Sequence, residues 1–247
     1  MANKLAHFEL NGPDPAAAAT FYTELFGWHT NVWSGAEGDY TLVDTHSGSG
    51  INGGIGKSQD DRSWVTVYVD APDPQAILDK AVGLGGKVVM PVTEMTMVTL
   101  GMFADPDGNI LGVVKSAEPG QEGPGVSEGD GKPVDWFEIL GPNPKDLWSF
   151  YSKLFGWSIK EGDMADFVYG QVSSDQVGIG GGIGSTFDGQ GHVNAYAQVD
   201  DLHKYLERAE ALGGKRMSEP QKVDDHTSIA HLTDPQGTWF GLYTYTE

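Results

Sequence analysis

The chain has 247 residues, more than one average domain of roughly 100–200 residues and fewer than three. Its 39% hydrophobic and 11% aromatic content is enough for a packed core and excludes bulk disorder, while the absence of cysteine excludes disulfides, thiolate metal sites and cysteine nucleophiles. A formal charge of −20, from 35 acids against 15 Lys and Arg, argues against nucleic acid and anionic membrane as partners, because neutralising phosphate charge is what supplies non-specific affinity.

In chain order, His7 to Leu10 alternates as a strand does and stops at Gly12-Pro13. Asp14 is placed to cap a helix with Pro15 at its first position. Ala17, Phe21, Leu25 and Phe26 give that helix an apolar face, and Gly27 ends it. Short strands are predicted near 39–44 and 51–56. Trp64 to Val69 alternates again, with Val65, Val67 and Val69 on one face. Asp73-Pro74 opens a second helix through Leu84, stopped by Gly85-Gly86, and strands follow near 87–90, 98–104 and 110–115.

The chain then repeats itself. Phe8-Glu-Leu-Asn-Gly-Pro-Asp-Pro15 returns as Phe137-Glu-Ile-Leu-Gly-Pro-Asn-Pro144, and Phe21-Tyr-Thr-Glu-Leu-Phe-Gly-Trp28 as Phe150-Tyr-Ser-Lys-Leu-Phe-Gly-Trp157. Gly53-Gly-Ile-Gly56, Leu84-Gly-Gly-Lys87 and Asp105-Pro-Asp-Gly108 have echoes at Gly181, Leu212 and Asp234, in the same order. Such an ordered series marks a tandem duplication. The copies span 1–116 and 134–247, joined by a Gly-, Pro- and Glu-rich stretch over 117–133 that reads as an extended, mobile linker. Each copy holds two βαβββ units.

Paired βαβββ units, an FYxxLFGW helix, a Gly-Gly helix stop and a closing Asp-Pro-x-Gly turn resemble the vicinal oxygen chelate superfamily. That superfamily includes glyoxalase I, extradiol dioxygenases, fosfomycin-resistance transferases and bleomycin-resistance proteins. More narrowly, the chain resembles a two-domain, glyoxalase-like actinobacterial branch labelled as hydroxylases. The resemblance implies an α+β fold in which each copy curls a mixed sheet around a cleft, with helices outside. It also implies a divalent metal held by a His on the first strand, a His or Gln on the first strand of the second unit, and a Glu four residues after the turn glycine. Those positions read His7, Trp64 and Gly112 in the first copy and Trp136, Asn194 and Gly241 in the second. Only His7 is a ligand type the family uses there. A stable divalent site needs several converging N or O ligands, so no metal and no cofactor is expected.

Strand parity places the cleft residues. His7, Glu9 and Asn11 share a face, as do Trp64, Thr66 and Tyr68, joined by Ile110 and Gly112. In the second copy the set is Trp136, Glu138, His192, Asn194, Tyr196, Gln198, Trp239, Gly241 and Tyr243, with His231 pointing the same way. Replacing a ligand Glu with Gly would open space beside aromatic walls, as small-molecule pockets require. The candidate ligand-binding residues are therefore His7, Trp64, Thr66, Tyr68, Trp136, His192, Asn194, Tyr196, His231, Trp239 and Tyr243. Glu9 and Glu138 are candidates for acid/base work or as hydrogen-bond anchors. A replacement N/O metal site from His192, Asn194, His231 and Glu138 is a minority reading. Phe21, Trp28, Phe150 and Trp157 read as core, and His29, His46, His203 and His226 as surface without a constellation. The glycine pairs at 53–54 and 181–182 suggest a bulge or close strand approach rather than a nucleotide fingerprint. Asp105 and Asp107 read as turn chemistry, since the spacing of a calcium loop is absent.

These readings lead to metal-independent binding of a small, aromatic organic molecule in the clefts, of sequestration or resistance type. Two alternatives stay open: a metal-free enzyme of secondary or detoxifying metabolism using a cleft Glu, and a metal-dependent lyase, isomerase or dioxygenase with non-standard ligands. Whether the protein is an enzyme is not decided by the sequence. No apolar stretch approaches the ~18 residues that cross a bilayer, and MANKLAHFEL lacks a signal-peptide pattern, so a cytoplasmic protein is expected. The expected state is a monomer whose domains form an intramolecular pseudo-dimer, with a homodimer as the alternative.

Overall fold

The computed structural model describes residues 2–36, 38–116, 125–162, 167–186 and 188–246. They form four successive βαβββ modules. The first holds β1 (Leu5–Gly12), α1 (Pro15–Phe26), β2 (His29–Gly35), β3 (Gly38–Asp44) and β4 (Gly53–Lys57). The second holds β5 (Trp64–Asp70), α2 (Pro74–Gly83), β6 (Lys87–Glu94), β7 (Val98–Ala104) and β8 (Ile110–Ser116). The third holds β9 (Val134–Gly141), α3 (Pro144–Phe155), β10 (Ile159–Glu161), β11 (Tyr169–Val172), a single turn α4 (Ser174–Val177) and β12 (Gly180–Ser185). The fourth holds β13 (His192–Gln198), α5 (Leu202–Ala211), then β14 (Lys215–Arg216) and β15 (Gln221–Lys222), two short strands that both pair with β16 in the place of one, then β16 (Thr227–Thr233) and β17 (Trp239–Tyr245). In every module the first strand runs parallel to the last, and the rest of the ladder is antiparallel. The fold is the α+β tandem duplication with mixed sheets that the motifs implied.

The punctuation works locally as expected. Asp14 accepts from the Ala17 N–H at 3.1 Å, Pro15 sits in the first turn, and Gly27 ends α1 at φ 74°. Asp73 and Asp201 cap α2 and α5 in the same way. Gly156, the counterpart of Gly27, ends α3 at φ 73°. A left-handed residue at that position is cheapest as glycine, which has no Cβ to collide with the following carbonyl.

The chain divides into two compact units, and each draws on both sequence copies. Unit one comprises Met1–His7, Thr66–Gly123 and Trp136–Val193; unit two comprises Phe8–Val65, Pro124–Asp135 and Asn194–Glu247. The repeated motifs explain the exchange. In unit one, Tyr151 of the FYxxLFGW helix donates at 2.8 Å to Asp105 of the other copy's closing turn. That carboxylate also accepts from the Asn109 N–H and side-chain amide and from the Asp107 N–H, so the turn acid is the hub of a buried network. Trp157 Nε1 donates to the Asn3 carbonyl at 2.8 Å, and Asp107 accepts both donors of Asn143. Unit two mirrors this. Tyr22 lies against Asp234, and burial followed by that carboxylate pushes its phenol pKa well up. Trp28 Nε1 donates to the Lys132 carbonyl at 2.8 Å. The core around these bonds is aromatic, with Tyr151 stacked on Trp157 at 5.6 Å and Tyr22 on Trp28 at 5.5 Å. Each such ring buries on the order of 150–250 Å², so these clusters dominate packing in their units.

One expectation is corrected, and another is narrowed to the close approach it allowed. Of the stretch read as a mobile linker, 117–124 lies outside the described residues, and 125–133 is tied down. Ser127 accepts from the Gly48 N–H, Gly131 donates to the His46 carbonyl, and Lys132 donates to the Phe26 carbonyl. The polar composition hid backbone groups that the neighbouring loops satisfy. The glycine pairs make no bulge: Gly53 lies under the Phe8 ring and Gly54 under Tyr40, one on each face of β4. Gly181 and Gly182 receive Phe137 and Tyr169 likewise. In addition, β2 is a full strand that the sequence reading passed over, because its side chains are mostly exposed and follow no alternation.

Candidate functional site

One arrangement recurs in all four modules. A tyrosine ring lies flat over a glycine of the last strand, and its hydroxyl reaches the side chain on the glycine's far side. In the first module Tyr40 covers Gly54 and donates to Glu9 at 2.9 Å. In the third, Tyr169 covers Gly182 and donates to Glu138 at 2.8 Å. In the second, Tyr68 covers Gly112 and its hydroxyl lies 3.9 Å from the Met102 sulfur. In the fourth, Tyr196 covers Gly241 and its hydroxyl is 3.0 Å from His231 Nε2. The register explains the last two: Tyr68, Gly112 and Met102 face one another across β5, β8 and β7, and Tyr196, Gly241 and His231 across β13, β17 and β16. A Cβ at any of these glycines would fall inside the ring above it.

This corrects the expectation that glycine opens space at the family's glutamate position. The volume is taken by a phenol. It also corrects the alignment of the copies: Tyr196, opposite Gly241, is the counterpart of Tyr68, opposite Gly112, so His192 rather than Asn194 stands where Trp64 does.

Unit two holds the richest cluster. His231 is bonded through Nε2 to Tyr196, has Nδ1 3.3 Å from the Ser218 hydroxyl, and lies 5.4 Å from the Trp239 ring. The Ser218 hydroxyl also accepts the His231 N–H at 2.9 Å. Burial lowers the His231 pKa to about 4, because the imidazolium would lose its hydration without gaining a counter-charge. The ring is neutral at physiological pH. Trp239 is 38% exposed, so an indole tilted 40° to this neutral imidazole meets solvent beside it. Nearby on β17, Tyr243 donates to Asp135 at 2.8 Å. Burial raises the Asp135 carboxyl to about 6, against the lowering effect of that hydrogen bond. Asn194 is buried on the same strand as Tyr196.

Unit two also contains Glu9, held by Tyr40, and Trp64. The side-chain N–H groups of Asn11 and Trp64 are buried with no hydrogen-bond partner among the described residues. In unit one, His7 packs edge-on against Tyr68 with ring centroids 5.8 Å apart, and burial lowers its pKa to about 4. Thr66 is fully buried and reaches no open surface. Trp136 is half-buried over Gly180. His192 is exposed and hydrogen-bonds Asp188 at 2.8 Å, a surface contact instead of the cleft contact its parity suggested. His29 and His46, read as lacking a constellation, stack at 4.0 Å.

Sequence reasoning missed Asp135, Ser218, Tyr40 and Tyr169. For the two tyrosines a signal existed, since Tyr40 and Tyr169 stand 129 residues apart like the other echoes. For Asp135 and Ser218 none did, because their importance comes from strands and loops distant in sequence.

The residues present do not fit the superfamily's divalent ion. The carboxylate position is a glycine beneath a tyrosine, the second position is Trp64 or a surface-paired His192, and His7 packs on a phenol. No group of three or more His, Asp or Glu side chains converges among the described residues.

Comparison with known proteins agrees with this architecture. The model of the Glyoxalase/Bleomycin resistance protein/Dioxygenase superfamily matches residues 4–113, and that of the glyoxalase-like domain matches 137–243. The chain belongs to this superfamily. It is 27% identical to the "Putative glyoxylase CFP32" of Mycobacterium tuberculosis over 95% of this chain and 92% of the relative. It is 28% identical to the anthracycline biosynthesis protein DnrV of Streptomyces peucetius over 98% and 93%. Among solved structures, an Mn(II)-bound glyoxalase from Novosphingobium aromaticivorans superposes with a TM-score of 0.67 at 14% identity, covering 100% of this chain and 83% of that one. At that identity the likeness shows the fold alone. No helix of the described residues is long and apolar enough to cross a membrane.

Proposed function

We propose that this chain binds small aromatic organic molecules without a metal ion, acting as a monomer. The observation that carries this reading is the Tyr196–His231–Trp239 cluster, where a part-exposed indole stands beside an imidazole held neutral by burial. Neutral, flat groups with a few fixed hydrogen-bonding atoms suit a hydroxylated ring better than a cation. The relationship to an anthracycline biosynthesis protein supports a fused-ring ligand.

Calorimetric titration with 1,8-dihydroxyanthraquinone tests this, before and after exhaustive chelation. The expected result is an affinity unchanged by chelation and weakened about tenfold by Trp239→Leu, the loss of roughly 1.4 kcal/mol of stacking and burial. Binding that disappears on chelation and returns with Mn(II) would overturn it.

A second reading, metal-free proton transfer on the bound ring, is favoured by Asp135. Its carboxyl, raised to about 6, is poised nearer neutrality than ordinary carboxylates. Glu9 and Glu138 instead serve as anchors for Tyr40 and Tyr169. Asp135→Asn tests it: ligand binding retained with turnover lost supports the reading, and turnover retained refutes it.

A further inference from the structure

A groove within unit one has a volume of about 500 Å³. Its lining includes Trp136, Gly180, Ser158, Lys160, Gln171 and Gln176. We infer that this groove is a subsite for an aromatic carboxylate, with the ring on Trp136 and the carboxylate on Lys160. The inference rests on the ring-binding reading above and adds a charge to the ligand.

The indole is held in place before any ligand arrives. Its six-membered ring lies over Gly180, where a Cβ would collide with it. It sits near the Tyr169 hydroxyl, which donates to Glu138 at 2.8 Å. A platform held by packing in this way loses little freedom when a second ring stacks on it, and preorganisation of that kind favours affinity. The register brings Lys160 opposite Gln171 on β10 and β11, at the same groove. Gln176 accepts the Ser158 N–H at 2.9 Å, which orients its amide and leaves the NH₂ for another acceptor.

Charge selects the ligand class. The protein carries a net −20, yet among the described residues none that lines the groove is acidic. Lys145 in the same unit is neutralised by Glu161 at 2.8 Å, whereas Lys160 has no ion-pair partner among the described residues. A cation with no ion-pair partner among the described residues, beside a packed indole and flanked by amides and hydroxyls, matches a flat ring bearing one carboxylate. A cavity of this size is within the range that drug-sized ligands occupy.

The test compares calorimetric titrations of 2-naphthoate and 2-naphthamide, which share a ring system and differ in charge. Wild type is expected to prefer naphthoate, the preference shrinking as salt is raised. Lys160→Gln should weaken naphthoate about three- to fivefold and leave naphthamide unchanged, as befits one solvent-exposed ion pair. Trp136→Leu, with its fold checked by circular dichroism, should weaken both. Naphthoate binding insensitive to both Lys160→Gln and Trp136→Leu, but reduced by Trp239→Leu, would overturn this subsite while leaving the proposed function intact. Failure of wild type to bind either compound would overturn the subsite, and the anthraquinone titration then decides the fate of the broader reading independently.

Discussion

His231 offers the sharpest test of how the tyrosine–glycine rows shape the local environment. Its pKa is lowered from 6.5 to about 4 by burial, so in the folded protein the imidazole resists a proton that the unfolded chain accepts readily. The sign follows from linkage: this contribution to stability is complete above pH 6.5, falls as pH drops from 6.5 towards 4, and levels off below. At pH 4.5 the cost is about 2.5 kcal/mol, from roughly two pH units of unequal protonation at about 1.36 kcal/mol each, less the small fraction protonated in the fold. His231→Phe removes the titrating group. At pH 7 the variant is destabilised, since Tyr196 and Ser218 lose their partner; at pH 4.5 it should be destabilised by about 2.5 kcal/mol less. Urea unfolding followed by tryptophan fluorescence at both pH values measures the difference directly, and the subtraction removes the carboxylates common to both proteins. An equal penalty at the two pH values, or an NMR titration placing His231 near 6.5, would refute the argument.

Other outcomes follow from the same contacts. Asp135 carries the opposite sign: its carboxyl is raised to about 6, so its contribution is full below pH 3.8 and lost as pH rises through 6, and Asp135→Asn should therefore stabilise the protein at pH 8 but not at pH 4. Gly241→Ala should destabilise by about 1–3 kcal/mol in thermal unfolding, because the methyl collides with the Tyr196 ring, and pairing it with Tyr196→Ala should cost less than the two changes summed. Tyr151→Phe should cost about 1–3 kcal/mol by removing a donor from buried Asp105, read by the denaturant midpoint. Sedimentation should give the mass of a single chain, and an obligate dimer would contradict the proposed monomer.

Much of this protein was legible before any coordinates. The duplication, the four βαβββ modules, the caps at Asp14 and Asp73 and the stop at Gly27 are local features, decided by spacing and by the backbone freedom of Gly and Pro. Strand parity likewise put Tyr68 on the face of Gly112, and Tyr196 and His231 on that of Gly241, as the strand register has them. What only the tertiary structure decided is which side chain fills which space. Glycine at 112 and 241 reads as a vacancy in one dimension, yet a tyrosine on the neighbouring strand occupies it. Nothing in the sequence links the FYxxLFGW tyrosine to a turn of the other copy, yet Tyr151 bonds Asp105 there. Asp135 reads as an ordinary strand acid until Tyr243, more than a hundred residues away, meets it in a buried place. Periodicity reports the direction in which a side chain leaves the backbone; the partner it meets is set by strands and helices that only long-range packing brings together.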